Sequence, residues 1–172
     1  MSLCTIKELF GSFLAEKNVD DFTIPPYQRG YKWSANEGEV QKFLEDIFDD
    51  FRITERKDYF LNFMTLKKNG KTLEVVDGQQ RLTTITLLLA ILTYMIEDEE
   101  NISEKKLRYE NRENFIDKFI YQDLLNIIKH NSWKDFLNEN GEHFDLQDVY
   151  YLYNAVQYAY NFFEKKSDRL RQ

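Results

Sequence analysis

Cysteine is almost missing from this chain: Cys4 stands alone among 172 residues. Within one chain, that excludes an internal disulfide and a cysteine-based zinc site, and a reducing, cytoplasmic setting is the expectation. Histidine is nearly as scarce. His130 and His143 have neither the i, i+4 spacing of a zinc protease helix nor cysteine partners, and His130-Asn131 lacks the rest of an HNH-type metal constellation. The only two prolines, Pro25 and Pro26, are adjacent. No long hydrophobic run exists: Ile85–Ile96 is interrupted by Thr86, Thr93 and Tyr94 and is too short to span a bilayer. Met1 leads through polar residues into an amphipathic segment, without the apolar stretch of a signal peptide, so no membrane association is expected. Also absent are the Gly-x-x-x-x-Gly-Lys and Gly-x-Gly-x-x-Gly phosphate loops and the Gly-x-Ser-x-Gly elbow of serine hydrolases.

Basic excess is lacking as well. Net charge is −7, with 12 basic against 14 acidic residues over 1–96 and 11 against 16 over the remainder. Nonspecific DNA affinity comes from neutralising phosphates, so an acidic chain of this kind is a poor autonomous DNA binder. Two local basic clusters, Arg52/Arg56/Lys57 and Lys67/Lys68/Lys71, read as solvated surface. Glu55-Arg56-Lys57 has the Glu-x-Lys form of some nuclease metal sites, but three residues in a charged loop carry little weight. Apolar and aromatic residues are plentiful: 42% hydrophobic, with 14 Phe and 11 Tyr, ample for a packed core.

Thr5 and Glu8 form a capping box ahead of Ile6, Leu9, Phe10, Phe13 and Leu14, predicting one amphipathic helix to about Lys17. Phe22-Thr23-Ile24 reads as a short strand that Pro25-Pro26 must end. Ser34 and Glu37 suggest a second capping box before the helical run Val40–Phe51. Tyr59–Lys67 is rich in strand formers, Asn69-Gly70 is a hairpin signal, and Thr72–Val76 returns as the partner strand. A helix from about Gln79 to Ile96 carries the most apolar sequence and should cross the core. The acidic run Glu97–Glu100 marks a sub-domain border. Beyond it the spacing predicts a helix around Phe115–Ile120, short helices over Gln122–Ile128 and Trp133–Leu137, and a long one over Leu146–Lys166 capped by Asp145. The expected fold class is α+β: a small mixed sheet with packed helices over 1–96, then an α-helical extension over 97–172.

Two stretches carry chemistry. In Val76-Asp77-Gly78-Gln79-Gln80-Arg81-Leu82-Thr83-Thr84 a strand turns through one glycine into a helix, whose first N–H groups and positive dipole end suit an anion. The N–H groups near Gly78, Gln79 and Gln80 would cradle a phosphate that Arg81 neutralises, and Asp77, wrongly signed for that, would hold Mg²⁺, orient water or brace an arginine. Plain capping by Asp77 and Gln80 explains part of the same pattern, though not Arg81. Tyr27-Gln28-Arg29-Gly30-Tyr31-Lys32-Trp33 is a loop of aromatics and cations. Arg29 is a second candidate phosphate ligand, and Tyr27, Tyr31 or Trp33 could stack on a base. The competing reading packs these aromatics on the core and bridges Arg29 to a carboxylate.

Ile24-Pro25-Pro26-Tyr27-Gln28-Arg29-Gly30-Tyr31-Lys32-Trp33, a Tyr59-Phe60-Leu61 strand, and Val76–Thr84, in that order, resemble the N-terminal domain of GmrSD-type modification-dependent restriction enzymes. That family's fold is similar to ParB and sulfiredoxin. The likeness covers about residues 5–96, with Leu107–Glu113 resembling a looser later motif. It implies a bacterial, phage-defence module that binds and hydrolyses a nucleoside triphosphate with Mg²⁺ to regulate or drive DNA restriction. Asp77, Gly78, Gln79, Gln80 and Arg81 fall on the family's NTPase motif, with Asp77, Gln80 and Arg81 as the catalytic candidates. Tyr27, Gln28 and Arg29 fall on its other signature, and with Gly78, Gln79, Thr83 and Thr84 they are the nucleotide-binding candidates. The turn has no cysteine, so the peroxiredoxin repair of sulfiredoxins is not expected. Members that cut DNA usually carry a C-terminal HNH-type nuclease domain, so the resemblance implies DNA and a nuclease domain or subunit as partners. Asn62 departs from a glycine expected after Phe-Leu. The alternative to an NTPase is a non-catalytic DNA-sensing or protein-docking module of the same fold.

Overall fold

The computed structural model describes residues 3–52, 59–96, 105–112 and 115–171, with side chains described outside 50–52 and 168–171. The acidic run, Glu55-Arg56-Lys57 and most of the Arg52/Arg56/Lys57 cluster lie outside these residues. The fold is α+β, and the chain forms two compact units, each assembled from two separate stretches: 1–29 with 64–122, and 30–63 with 123–172.

The first unit holds α1 (Ile6–Phe10), α2 (Ser12–Glu16), β1 (Asp21–Ile24), β2 (Thr65–Asn69), β3 (Thr72–Asp77), α4 (Gln79–Ile96), β4 (Leu107–Tyr109) and a π-helical stretch Ile116–Gln122. The sheet order is β2-β3-β1-β4. β1 pairs parallel with both β3 and β4, while β2 and β3 form an antiparallel hairpin. Paired on both sides, β1 is buried along its whole length, the condition of an inner parallel strand. β2 is the exposed edge, and its Lys67 and Lys68 guard it against pairing with another chain.

The expected first helix is in fact two. The Thr5–Glu8 capping box is present, but Gly11 adopts φ −117° and ψ −99° and breaks the spiral between Phe10 and Ser12. Helix α2 closes in a Schellman motif: Asn18, at φ 51°, donates to the Ala15 carbonyl and Val19 to that of Leu14. Lys68 adds a bond to the Lys17 carbonyl and Lys71 one to the Asn18 side chain. Two cations of the Lys67/Lys68/Lys71 cluster thus serve a helix C-terminus, where the dipole favours positive charge.

Two expectations for strands are corrected. Residues 59–64 form no strand, so Tyr59-Phe60-Leu61 is irregular and β2 begins only at Thr65. Asn62 adopts φ 72°, the left-handed region; asparagine tolerates it, which accounts for its standing where glycine was expected. Conversely, Leu107–Tyr109 is a strand inside the half expected to be purely helical. Tyr121 clasps it, donating to the Leu107 carbonyl (3.0 Å) and accepting from the Leu107 N–H (3.1 Å). Burial pushes the Tyr121 hydroxyl pKa well up.

Helix α4 has no polar face: Leu82, Ile85, Leu87 and Ile91 are buried around it, as expected of a core-crossing helix. Its buried Thr83, Thr84 and Thr86 hydroxyls each donate to the carbonyl four residues back, at 2.7, 2.9 and 3.0 Å. This local pairing is what allows hydroxyls into an apolar core.

The second unit is helical: α3 (Glu39–Arg52), α5 (Leu124–Ile128), α6 (Trp133–Asn140), a 3₁₀ turn Glu142–Phe144 and α7 (Gln147–Arg171). The expected Ser34–Glu37 capping box is not formed: Glu37 stands at φ 53°, and it is Glu39, the first residue of α3, whose carboxylate accepts from the Ser34 N–H (2.9 Å) and hydroxyl (3.1 Å). These bonds hold its pKa below the usual carboxylate range. The short helix after the π-helical stretch starts at Leu124, capped by Asp123. Asp145 does not cap α7; it accepts from the Trp133 indole at 3.2 Å, because Trp133 packs among Phe136, Tyr150 and Tyr153 and its N–H needs a partner there.

Candidate functional site

Strands β1, β3 and β4 run in the same direction, so Ile24, Asp77 and Tyr109 end on one edge of the sheet. Ligand sites of open sheets gather outside such carboxyl ends. Three segments leave this edge: Pro25–Arg29, the Gly78 turn into α4, and Glu110–Arg112.

Side-chain amides tie the three together, each donating to a backbone carbonyl of another segment. Gln28 Nε2 bonds the Val76 carbonyl at 2.9 Å. Gln79 Nε2 bonds that of Arg29 at 3.0 Å. Asn111 Nδ2 bonds that of Pro26 at 3.1 Å. The two sequence stretches singled out for chemistry therefore meet, although about fifty residues separate them.

The turn depends on glycine. Gly78 has φ +92°, and a Cβ there would lie 2.6 Å from Met64 Cγ. Its carbonyl accepts the first intrahelical bond of α4, from the Leu82 N–H at 3.0 Å. The N–H groups of Gln79, Gln80 and Arg81 precede that bond and have no intrahelical acceptor. The expected Asp77–Gln80 capping box is not formed: Gly78 occupies the capping position, and among the described residues the exposed Asp77 carboxylate has no hydrogen bond.

The remaining candidates divide by burial. Gln79 and Gln80 are buried, each 6% exposed. Gln79 Oε1 is shut off from solvent with no hydrogen-bond partner. Arg81 is half-buried and engaged by other groups of the protein. Thr83 and Thr84 are fully buried and build the first turn of α4. Thr83 is itself held by Tyr109, whose hydroxyl lies 2.6 Å from Thr83 Oγ1. Since Thr83 donates to the Gln79 carbonyl, Tyr109 is the donor of this pair, and a chain runs from β4 to the tip of α4.

In the loop after β1, Tyr27 is 70% exposed and Arg29 is exposed. No carboxylate pairs with Arg29 among the described residues, contrary to the packed-loop reading. Tyr31, by contrast, is fully buried and Trp33 packs on Phe43 at 5.5 Å, so packing accounts for both rings. Gly30 is required there: a Cβ would meet Asp148 at 2.5 Å.

Tyr109, Asn111 and Met64 were not identified from the sequence as part of this edge. The likeness of Leu107–Glu113 to a looser motif was the available signal. Arg108 of that motif instead pairs with the buried Asp21, Nε to Oδ2 at 2.8 Å. Burial raises the Asp21 pKa and outweighs the guanidinium, which acts in the opposite direction.

Among the described residues, no group of three His, Cys, Asp or Glu side chains is placed to hold a metal ion. His130 is buried, with Nε2 3.1 Å from Glu139. A concavity of about 570 Å³ is lined by Ser34, Glu37, Glu39, Lys42 and Glu45 among others, and by none of the candidate residues. No described helix is long and apolar enough to cross a membrane.

A family model described as GmrSD restriction endonuclease, N-terminal domain, matches residues 6–170, nearly the whole chain. No curated protein matches it.

Proposed function

We propose a function from the premise that this chain belongs to the family of GmrSD restriction endonuclease N-terminal domains: its sheet edge binds a nucleoside triphosphate with Mg²⁺ and hydrolyses it in the service of DNA restriction. The observation that carries this reading is the pair of amide tethers, Gln28 to Val76 and Gln79 to Arg29. They assemble both signature segments at the N-terminus of a buried 18-residue helix.

In this reading the phosphate tail meets the leading N–H groups of α4 and its positive dipole end. Arg81, in the first turn, and Arg29, on the tethered loop, neutralise it with charge-assisted bonds. Tyr27 offers its exposed ring to the base. Asp77 orients the attacking water, with Gln80 beside it in the turn. The residues fit a metal brought in by the nucleotide: Mg²⁺ keeps most of its ligands as water and phosphate oxygens, so the single carboxylate of Asp77 suffices. Bound there, it would neutralise charge on the phosphoryl oxygens. DNA and a nuclease domain or subunit are the partners through which turnover would act.

The test is phosphate release from each nucleoside triphosphate with Mg²⁺, comparing the native chain with Arg81→Ala and Asp77→Ala. Both substitutions lower turnover. Arg81→Ala also weakens affinity by about 10- to 100-fold, the range for a lost charge-assisted pair. Unchanged activity in both would remove the hydrolytic reading. Nucleotide-dependent melting shifts without phosphate release would instead support the non-catalytic sensing or docking module.

A further inference from the structure

We propose that Gln79 reads the nucleoside part of the ligand, so that this site selects a nucleoside polyphosphate over bare polyphosphate; this rests on the nucleotide-binding reading above. Gln79 is the first residue of α4 and 6% exposed. Its Nε2 donates to the Arg29 carbonyl at 3.0 Å. A carbonyl only accepts, so the orientation of the amide is settled, and Oε1 is left as the free acceptor. Among the described residues it is the one buried side-chain polar atom without a hydrogen-bond partner, a condition native proteins rarely keep.

The sign of that atom decides what it meets. A phosphate oxygen has only lone pairs at neutral pH and is repelled by a carbonyl oxygen, so the group that completes Gln79 must carry an O–H or N–H. The tip of α4 takes the anion through its N–H groups. What remains of a nucleotide is a sugar with hydroxyl donors and a base with amine or imide donors. Gln79 lies at the junction of the two recognition segments, with one end of its amide on the Arg29 loop. Oε1 is closed off from solvent, so the Arg29 loop must shift before a donor can reach it.

The experiment measures equilibrium binding of inorganic tripolyphosphate and of the four nucleoside triphosphates to the full chain and to Gln79→Met, which keeps side-chain length and removes both polar ends. The native chain prefers at least one nucleotide over tripolyphosphate by about tenfold or more, the scale of one buried hydrogen bond. In Gln79→Met that ratio falls towards one: tripolyphosphate weakens through the lost Arg29 tether, and the nucleotide weakens by about tenfold more. A second series needs no variant: 2′-deoxy, 2′,3′-dideoxy and base-amine-deleted forms of the preferred nucleotide are bound to the native chain, and removal of one donor weakens binding about tenfold. A ratio unchanged in Gln79→Met, equal weakening of both ligands, or no donor deletion that matters would overturn the proposal and leave the amide as a structural tether. Failure of the native chain to bind any of these ligands would sink the nucleotide reading itself, a distinguishable result.

Discussion

Gly78→Ala is a sharp perturbation of the candidate site, because two separate penalties meet at one methyl group. The first is backbone strain. At φ +92° an L-residue leaves its allowed regions, which costs about 1–3 kcal/mol when the surroundings hold the conformation. The second is steric. The added Cβ lies 2.6 Å from Met64 Cγ, 3.2 Å from its Cβ and 3.3 Å from its Cα. The side chain can swing but the backbone atom cannot, so relief is partial and overpacking adds about 1–3 kcal/mol. Together the loss is about 2–6 kcal/mol, a large share of the stability of an ordinary domain. Urea denaturation monitored by tryptophan and circular dichroism gives the loss, and a Met64→Ala background separates its parts. There the 2.6 Å clash with Cγ disappears, the 3.2 and 3.3 Å contacts with Cβ and Cα remain, and about 1–3 kcal/mol of strain persists. If Gly78→Ala came within about 0.5 kcal/mol of native, the level of an uneventful surface change, the turn geometry would be wrong. Complete recovery in the Met64→Ala background would mean that no strain resides in the backbone.

The chain from Tyr109 through Thr83 to the Gln79 carbonyl predicts coupling between β4 and the tip of α4. A double-mutant cycle of Tyr109→Phe and Thr83→Val should give an interaction of about 0.5–1.5 kcal/mol in unfolding free energy, and additive losses would refute the bond. The Ser34–Glu39 contact predicts a pH effect of definite sign. Its carboxyl pKa is lowered in the fold, chiefly by the Ser34 N–H, so its contribution is present above the ordinary glutamate value of 4.5 and lost as pH falls through the lower folded value. Glu39→Gln should therefore flatten the acid limb of the melting temperature against pH, and an acid limb identical to native would exclude the contact.

Much of this protein followed from local sequence alone. Helix α4 was legible because its apolar run begins directly after a glycine and continues for five turns. The β2–β3 hairpin followed from Asn69-Gly70, and α3 from its one-faced spacing, since each of these signals acts over a few residues. The family likeness was equally local, resting on short runs whose residues are neighbours in the chain. Where packing overrode a local rule, the sequence pointed the wrong way. It indicated Glu37 as partner for Ser34, one helix through Gly11 and a strand from Tyr59. The fold has Glu39, two helices and an irregular path to Met64.

Tertiary structure decided those cases, and it alone created the site. Leu107–Tyr109 is too short to announce itself as a strand; it becomes one because the free edge of β1 needs backbone partners. Parallel pairing then sends three loops to the same edge, and amides from Gln28, Gln79 and Asn111 lock loops that lie far apart along the chain. A hydrogen bond across fifty residues leaves no periodicity to read. Nor could composition show that Gln79 would be buried with one end paired and the other without a partner, because that depends on where the Arg29 carbonyl arrives. The sequence supplied the chemistry of the turn, and the folded sheet determined which groups it faces.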